Sequence, residues 1–217
     1  NKSKLENELN VLQKLGYPCE YTSDLKIPVK TVGAVKIKKQ AQFNPLKFIS
    51  AISKNLKIYE NTFVEHIDKT TAITRQGYKI KAKKIIITTH FPFINKHGSY
   101  FLKMYQHRSY VIALENAQNV NGMYVDEAQN GMSFRNYKNL LLVGGGDHRT
   151  GKKGGSWNKL RSFASKVYPD SREKFYWATQ DCMTLDSVPY IGRYSANTPD
   201  LFVATGFNKW GMTSSMV

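Results

Sequence analysis

The spacing of the hydrophobic residues changes once along the chain, and this change constrains the fold most strongly. Four leucines recur at helical spacing in residues 4–15, and Gly16 ends the run. A second helical pattern covers residues 46–54, with Asn44 as a candidate cap. From residue 57 onward, apolar residues recur in short stretches typical of strands. We therefore predict two amphipathic helices followed by a region rich in β-strands.

The second part of the chain contains many short candidate strands and one further helix. The strands are predicted at residues 57–60, 62–67, 71–74, 78–82, 84–89, 110–114, 122–125, 132–136, 140–143 and 201–205. The continuous apolar run Ile85, Ile86 and Ile87 is expected to be buried on both faces, as in a strand inside an α/β sheet. A helix is predicted at residues 157–167, because Pro169 follows an amphipathic pattern there.

Charge and composition limit the classes of function. The 217 residues include 32 Lys and Arg against 16 Asp and Glu, which gives a net charge of +16. The lysines are scattered at alternating spacing, which favours solvated strand faces over a nucleic-acid patch, although a basic binding module stays an alternative. No apolar run approaches the roughly 20 residues that span a bilayer, so no membrane span is expected.

Cysteine, histidine and the first residues suggest the setting of the chain. Cys19 and Cys182 lie far apart without metal-ligand spacing, which favours two free thiols in a reducing cytoplasm. The five histidines show no paired spacing, so no metal site is expected within the chain. The first residues lack a starting Met and an apolar signal core, and we expect the chain to be part of a longer protein.

One motif resembles a phosphate-binding loop. Residues 146–152, Gly-Asp-His-Arg-Thr-Gly-Lys, follow an apolar strand and fit G-x-x-x-x-G-K. A P-loop needs Ser or Thr next, to bind Mg²⁺, but this chain has Lys153, and Gly154 and Gly155 then delay the helix. The pattern favours a tight glycine turn at a strand end, with a P-loop-like nucleotide-binding protein as the alternative.

The C-terminal sequence carries the most specific motifs. Asp186-x-x-Pro-x-Ile-Gly192 precedes a turn, an apolar strand, and then Ala-Thr-Gly206-Phe-x-x-x-Gly211-Met-Thr213. The free amides at the start of the incipient helix after Gly211 can face an electron-rich ligand. At this separation, the two motifs resemble those of the flavoprotein family that includes D-amino-acid oxidase, sarcosine oxidase and glycine oxidase.

The resemblance extends to about four-fifths of the chain. Residues 43–48, 62–67 and 83–90 look like the family's helix, its adenine-side strand and the strand that closes the FAD domain. Residues 140–151 look closest to the branch whose members carry a C-terminal Rieske iron–sulfur domain. The implied fold is α+β and α/β: a substrate domain with a mixed, largely antiparallel sheet, plus part of a Rossmann-like FAD domain. Accordingly, residues 1–36 form the N-terminal helix and linker of the substrate domain, 37–93 one FAD-domain portion, 94–182 the substrate domain and 183–217 the C-terminal FAD-domain portion.

The resemblance also assigns roles to individual residues. Lys209 and Asp181 are assigned to catalysis. Val64 is assigned to the adenine or ribose through its backbone, and Thr88 and Thr89 to the vicinity of the pyrophosphate. The residues that border the isoalloxazine are Gly192, Gly206, Lys209, Gly211, Met212 and Thr213. The implied activity is FAD-dependent oxidation, by hydride transfer to the flavin, of a C–N centre in a small amine or amino acid.

Two departures from the family pattern qualify these assignments. Amino-acid oxidising members hold the substrate carboxylate with arginines, but Asp181 and Lys209 stand at the aligned positions, so a cationic amine held by Asp181 is an alternative substrate. No G-x-G-x-x-G follows a strand, so we expect the isolated chain to bind FAD weakly and to be inactive. Any [2Fe–2S] cluster is expected to lie beyond Val217.

Overall fold

The computed structural model describes residues 1–94, 97–128 and 131–216. Helices and strands alternate irregularly along this part of the chain. The helices are α1 (Lys2–Lys14), α2 (Pro45–Ile52), α3 (Tyr100–Lys103), α4 (Ser156–Val167) and α5 (Gly211–Ser214). The strands are β1 (Cys19–Thr22), β2 (Ala34–Ile37), β3 (Val64–Asp68), β4 (Thr71–Thr74), β5 (Lys79–Lys81), β6 (Ile85–Ile87), β7 (Met104–Glu115), β8 (Met123–Val125), β9 (Ser133–Tyr137), β10 (Leu140–Arg149), β11 (Arg172–Thr184), β12 (Tyr190–Arg193) and β13 (Leu201–Thr205).

The described strands form four sheets. The largest has the order β11-β7-β10-β9-β8, and two three-stranded sheets have the orders β12-β13-β6 and β3-β4-β5. The strands β1 and β2 form a separate antiparallel pair. The pairing of β13 with β6 is parallel, whereas β12 with β13 and β3 with β4 are antiparallel. The predicted mixed α+β fold with largely antiparallel sheets is confirmed.

The chain folds into two compact units, and each unit is assembled from separate segments. Unit 1 consists of Asn1–Ser50, Tyr110–Gly146 and Gly155–Trp177, and unit 2 of Ala51–Ser109, Asp147–Gly154 and Ala178–Val217. The long strands β7, β10 and β11 contribute residues to both units. The assignment of particular segments to an FAD domain and a substrate domain stays a prediction.

Helix α4 provides much of the core of unit 1. Leu160 and Ala164, one turn apart, are buried on its inner face, and the rings of Phe163 and Phe134 lie 5.7 Å apart between centroids. On its outer side, Arg161 donates two hydrogen bonds, of 2.8 and 2.9 Å, to the carboxylate of Glu173. This fork geometry fixes the helix against the start of β11.

The core of unit 2 lies between the β12-β13-β6 sheet and the segment before β7. Its buried residues are Ile87, Tyr100, Met104, Tyr194, Leu201 and Val203. Burial of the Tyr194 ring is possible because its hydroxyl donates to the carbonyl of Ile94 at 2.6 Å. The hydroxyl of Tyr100 donates in turn to the Tyr194 carbonyl at 3.1 Å. Both tyrosines therefore satisfy their polar atoms inside an apolar core.

Helix starts follow the sequence signals closely. The side-chain oxygen of Asn44 accepts a hydrogen bond of 3.1 Å from the amide of Lys47, so the predicted cap of α2 is confirmed. Pro45 occupies the first helical position, where its missing N–H costs nothing. The predicted helices at residues 4–15 and 157–167 correspond to α1 and α4 within two residues at each end.

Several strand predictions were wrong, for physical reasons that the structure shows. Residues 57–60 alternate in character but form no strand, since no neighbouring strand pairs with them in the described chain. Ile86 is 65% exposed, because its side chain points to the face of the sheet opposite to that of the buried Ile87, and the described chain leaves that face uncovered at this position. Strands β1, β2, β11 and β12 were not predicted at all.

The predicted glycine turn at a strand end is present, but it begins later than predicted: residues 150–152 form it, with Gly151 at a φ angle of +83°. Strand β10 does not end at Val143 but continues through Gly144, Gly145 and Gly146 to Arg149. Helix α4 begins only at Ser156. A P-loop requires a loop between strand and helix that wraps a phosphate with its amides, so this backbone does not have that geometry.

In the part of the chain that the structure describes, no helix is both long enough and apolar enough to cross a membrane.

The two cysteines should differ sharply in reactivity. Burial, with a smaller contribution from the charge of Asp181, raises the pKa of the Cys182 thiol to about 11, whereas Cys19 is partly exposed. The thiolate is the reactive form, so iodoacetamide at mildly alkaline pH should modify Cys19 first and leave Cys182 unmodified. Peptide mass spectrometry of the folded protein tests this, and the denatured protein, labelled at both sites, is the control. Equal labelling rates in the folded protein would contradict the burial of Cys182.

Truncation of the α4 core should destabilise the protein. Leu160 is completely buried, so Leu160→Ala removes apolar contacts and leaves a cavity, at a cost of about 2–5 kcal/mol in the free energy of unfolding. Leu46→Ala is the matched control, because Leu46 is 76% exposed in α2 and its truncation should change the stability by less than about 0.5 kcal/mol. Urea unfolding monitored by circular dichroism measures both variants, and equal effects would contradict the packing of α4.

Candidate functional site

The ten residues predicted from the sequence to serve substrate and cofactor all fall in unit 2. They are Val64, Thr88, Thr89, Asp181, Gly192, Gly206, Lys209, Gly211, Met212 and Thr213. The structure brings Lys209 and Asp181 into direct contact. Val64 begins β3 and pairs with Thr74, while Thr88 and Thr89 directly follow β6.

Lys209 is the centre of a charged cluster. Its Nζ atom donates to the Ser109 Oγ atom at 2.6 Å and to the Asp181 Oδ2 atom at 3.0 Å, and it lies 3.2 Å from the Asp147 Oδ2 atom. Two of the three N–H donors of the ammonium are thus used in hydrogen bonds, to Ser109 and Asp181, and the Asp147 carboxylate adds an ion pair. We refer to Ser109, Asp147, Asp181 and Lys209 as the lysine cluster.

Neighbouring strands bring the lysine cluster together. Strand β7 lies between β11 and β10 in the sheet, so Ser109 on β7 is flanked by Asp181 on one neighbour and Asp147 on the other. Adjacent strands are about 4.8 Å apart, a spacing that lets one ammonium reach side chains on all three. The cluster therefore depends on the order of the strands, which the local sequence does not encode.

The lysine cluster is only partly accessible to solvent. The side chains of Asp147 and Asp181 are 17% and 21% exposed, and that of Lys209 is 39% exposed. Carboxylates in such positions interact more strongly with a nearby charge than fully exposed ones do, because less water screens them. The open side of the cluster is thus a place where a small charged molecule would feel the cluster's charge.

His107 lies on the same side of β7 as Ser109, two residues away. Burial lowers the pKa of the His107 imidazole, and the charge of Lys209 lowers it further, against the opposing effects of Asp147 and Asp181. Its Nδ1 atom is buried and has no hydrogen-bond partner among the described residues. His107 is therefore expected to be uncharged at neutral pH.

A network of uncharged and cationic side chains joins β7 to β11 next to Asp181. The Gln180 Nε2 atom donates to the Gln106 Oε1 atom at 2.6 Å. The Gln180 Oε1 atom accepts from Arg108 at 3.3 Å and from the Thr150 hydroxyl at 3.2 Å. Because side chains alternate along a strand, this network faces away from the lysine cluster and fixes the strands that carry it.

The loop that carries Lys209 has a fixed conformation. Asn208 is bonded through its backbone amide to the Cys182 carbonyl at 3.1 Å, and its side chain accepts from the Thr184 amide at 3.1 Å. Gly206 has a φ angle of +71°, and a Cβ atom there would collide with the side chain of Thr184. A glycine is therefore required at the point where β13 leads into the loop.

The segment after this loop leaves two backbone amides without a helical acceptor. The amide of Thr213 donates to the Trp210 carbonyl at 3.0 Å, whereas the amides of Gly211 and Met212 begin α5 and have no acceptor within the helix. Gly192 has a φ angle of +147°, and a Cβ atom added there would meet no described atom within 4 Å. Free amides and an open glycine surface are compatible with the ring of a flavin.

The backbone after β6 is held in a specific conformation. His90 has a φ angle of +66°, which is uncommon for a residue other than glycine. The buried hydroxyl of Thr205 donates to the His90 carbonyl, and the His90 ring contacts the Gln180 carbonyl at 2.6 Å. The Thr89 hydroxyl donates to the Phe91 carbonyl at 3.0 Å. These contacts fix the segment that contains Thr88 and Thr89.

Two members of the lysine cluster, Ser109 and Asp147, and the neighbouring His107 were not predicted. The sequence signal for Ser109 and His107 was the alternation of residue types before residue 110. The predicted strand began only at residue 110 and therefore did not include them. Asp147 was assigned to a turn because three glycines precede it. Asp147 lies between two stretches of strand-like composition, and this position was the only sequence signal that Asp147 belongs to a strand.

Other features of unit 2 lie apart from the predicted site residues. A cavity of about 560 Å³ is lined by residues 65–70 and 197–201 together with Phe93, Ile94 and His97, and none of the ten predicted residues lines it. Among the described residues, no group of three or more His, Cys, Asp or Glu side chains is placed to hold a metal ion.

Comparison with known proteins identifies relatives along the whole chain. A family model described as FAD dependent oxidoreductase (DAO) matches residues 2–217. A protein of Bacillus subtilis (strain 168), named as the Rieske 2Fe-2S iron-sulfur protein YhfW, is 36% identical over 230 residues. That match covers 99% of this chain and 45% of the relative, so the chain spans less than half of the relative's length.

Solved structures share the fold at low sequence identity. Glycine oxidase from Geobacillus kaustophilus matches with a TM-score of 0.76 and 19% identity, over 97% of this chain and 63% of that one. L-proline dehydrogenase from P. horikoshii matches with a TM-score of 0.72 and 17% identity, over 95% of this chain and 63% of that one. Likeness at this level shows the fold, while membership rests on the family model, which matches nearly the whole chain. On that ground the chain belongs to the DAO family of FAD-dependent oxidoreductases.

Proposed function

We propose that this chain supplies the substrate side, and part of the flavin side, of an enzyme that oxidises the carbon next to nitrogen in a small amine or amino acid. The observation that carries the proposal is the lysine cluster, which is held by three strands and followed directly by the free amides of α5. Family membership makes FAD the expected cofactor. Glycine oxidase and L-proline dehydrogenase, which share the fold, are named for small amino-acid substrates.

In this proposal, the chain's residues bind and orient while the cofactor supplies the redox chemistry. Bound FAD provides the acceptor for the hydride that leaves the substrate carbon. The amides of Gly211 and Met212 stabilise negative charge at the edge of the ring, an effect worth a few kcal/mol in a dry site. Gly192, Gly206 and Thr213 shape the same surface. Lys209 and Asp181 orient the substrate beside it.

The remaining cofactor contacts are proposed for the segments around β3 and β6. Val64 would lie beside the adenine or ribose through its backbone, and Thr88 and Thr89 would lie near the pyrophosphate. The phosphate cradle itself, a G-x-G-x-x-G turn before a helix, is not in this sequence. We propose that the complete protein supplies it upstream, and that this chain alone binds FAD weakly and is inactive.

The wider setting of the protein is also a proposal. The B. subtilis relative is named as a Rieske 2Fe-2S protein and is longer than this chain, which supports a [2Fe–2S] domain after residue 217. Cys19 and Cys182 are free thiols, in keeping with a cytoplasmic location.

Flavin binding and reduction test the proposal directly. The complete gene product should purify with FAD and show the visible absorption band of an oxidised flavin. Anaerobic mixing with a panel of small amines and amino acids should bleach that band with at least one of them. A complete protein that binds no flavin, or whose flavin no member of the panel reduces, would overturn the proposed function.

Replacement of Lys209 should slow that reduction while FAD remains bound. Lys209→Met leaves the carboxylates of Asp147 and Asp181 without their shared cation, and hydrogen bonds to charged groups are worth about 1.5–3 kcal/mol each. We therefore expect flavin reduction by the best substrate to slow by roughly tenfold or more. Lys166→Met, on the exposed side of α4, is the control. Stopped-flow absorbance measures the rates, and equal rates in the two variants would exclude Lys209 from the site.

A further inference from the structure

The lysine cluster has a charge that restricts which substrates it accepts. Lys209 contributes +1 while Asp147 and Asp181 contribute −1 each, so the sum is −1. The neighbouring His107 adds no charge when its imidazole is neutral, and the direction of its pKa shift favours that form. The cluster itself therefore carries a formal charge of −1, which attracts a cation that binds in direct contact with its carboxylates.

Lys209 is not free to bind an anion. Its ammonium donates hydrogen bonds to Ser109 and Asp181 and is paired with the Asp147 carboxylate at 3.2 Å. A substrate carboxylate at this ammonium would lie beside the two carboxylates of the cluster. Like charges at such short distances repel strongly in a partly buried site.

The carboxylates, in contrast, retain binding capacity. Lys209 contacts the Oδ2 atom of each, so the Oδ1 atoms of Asp147 and Asp181 are not engaged by it. A carboxylate offers about four lone-pair positions, and one N–H donor uses only one of them. Each carboxylate therefore has lone-pair positions left to accept a hydrogen bond from a substrate ammonium group.

The nearest alternative anion site on the same side is Arg149. It lies two residues after Asp147 on β10, and its guanidinium stacks 5.0 Å from the centre of the Tyr105 ring. Arg149 forms no ion pair with an acid among the described residues. A site that accepts amino acids would need such a group, so removal of the Arg149 charge distinguishes the two kinds of substrate.

We infer that the substrate of this enzyme is an amine whose cationic group binds at Asp147 and Asp181, and which carries no carboxylate on the carbon that is oxidised. The inference rests on the proposed function and narrows it to one substrate class. It also gives Asp147 a role: a specificity residue that acts together with Asp181. Neither the family model nor the fold comparison assigns this residue a function.

A binding experiment that needs no turnover tests the inference separately from the proposed function. tert-Butylammonium and trimethylacetate share a tert-butyl group and carry opposite charges, and neither can be oxidised, because the central carbon carries no hydrogen. Each is titrated into the FAD-loaded complete protein near neutral pH, and the change in the flavin spectrum reports binding. We expect tert-butylammonium to bind at least about tenfold more tightly. Tighter binding of trimethylacetate, or no binding of tert-butylammonium, would overturn the inference and leave the proposed function standing.

Charge-changing variants should invert this preference. Asp147→Asn and Asp181→Asn each raise the charge of the cluster from −1 to 0, and the double variant raises it to +1 while keeping the side-chain shapes. Each single variant should weaken tert-butylammonium binding about tenfold, and the double variant should bind trimethylacetate more tightly instead. Asp170→Asn, at an exposed position in unit 1, is the matched control. If the double variant keeps the ammonium preference, the cluster does not determine the charge of the substrate.

Turnover with matched pairs completes the test. Ornithine and putrescine, lysine and cadaverine, and alanine and ethylamine differ only by the carboxylate on the reacting carbon. The amine of each pair should reduce the flavin with a ratio of rate to dissociation constant at least about tenfold higher. Faster reduction by the amino acids, lost in Arg149→Met, would overturn the inference in favour of a carboxylate site at Arg149. No reduction by either member of any pair would instead contradict the proposed function.

Discussion

One lysine ammonium joins four separate stretches of unit 2. Lys209 comes from the loop after β13, and its partners come from β7, β10 and β11. Two partly buried carboxylates so close together would repel each other without a shared cation, which would strain the strand arrangement that brings them together. Because the cation and the acids lie far apart in sequence, the cluster forms only when the whole unit has folded. The chemistry of the site therefore depends on the sheet order rather than on any local motif.

The position of the ammonium depends in turn on uncharged contacts. Asn208 ties the loop to Cys182 and Thr184 by hydrogen bonds, and Gly206 admits a close approach to the Thr184 side chain. On the opposite side of the strands, Gln180 holds β7 beside β11. A charged site needs such support, because a loose ammonium would lose more to side-chain entropy than it gains from a partly solvated ion pair. The glycine and the amides are as necessary to the site as the charges.

Local signals in the sequence predicted local structure well and strand pairing poorly. Helices α1, α2 and α4 were predicted because Gly16, Asn44 and Pro169 mark their ends or starts through interactions within a few residues. The stretch at residues 57–60 has the same alternation as a strand but finds no partner, whereas β11 has little periodicity and is a strand because β7 lies beside it. Ile86 is exposed for a similar reason, since burial of both faces requires neighbours that the sequence around it does not specify.

Two of the four residues of the lysine cluster were predicted from the sequence. The unpredicted Asp147 shows why the G-x-x-x-x-G-K motif at residues 146–152 was misleading. Lys209 and Asp181 followed from resemblance to a family, while Asp147 was hidden in a glycine-rich sequence that mimics a phosphate loop. In the structure, a side chain at Gly145 would press on Leu160 of α4 at 3.3 Å, so this glycine lets the strand pass closely under the helix. Strand β10 thus continues past the three glycines, with Gly146 at a φ angle of +69°, and its next residue is Asp147. The same glycines that suggested a site for anionic phosphate allow the strand to extend to a carboxylate, and the charge of that carboxylate selects for a cation.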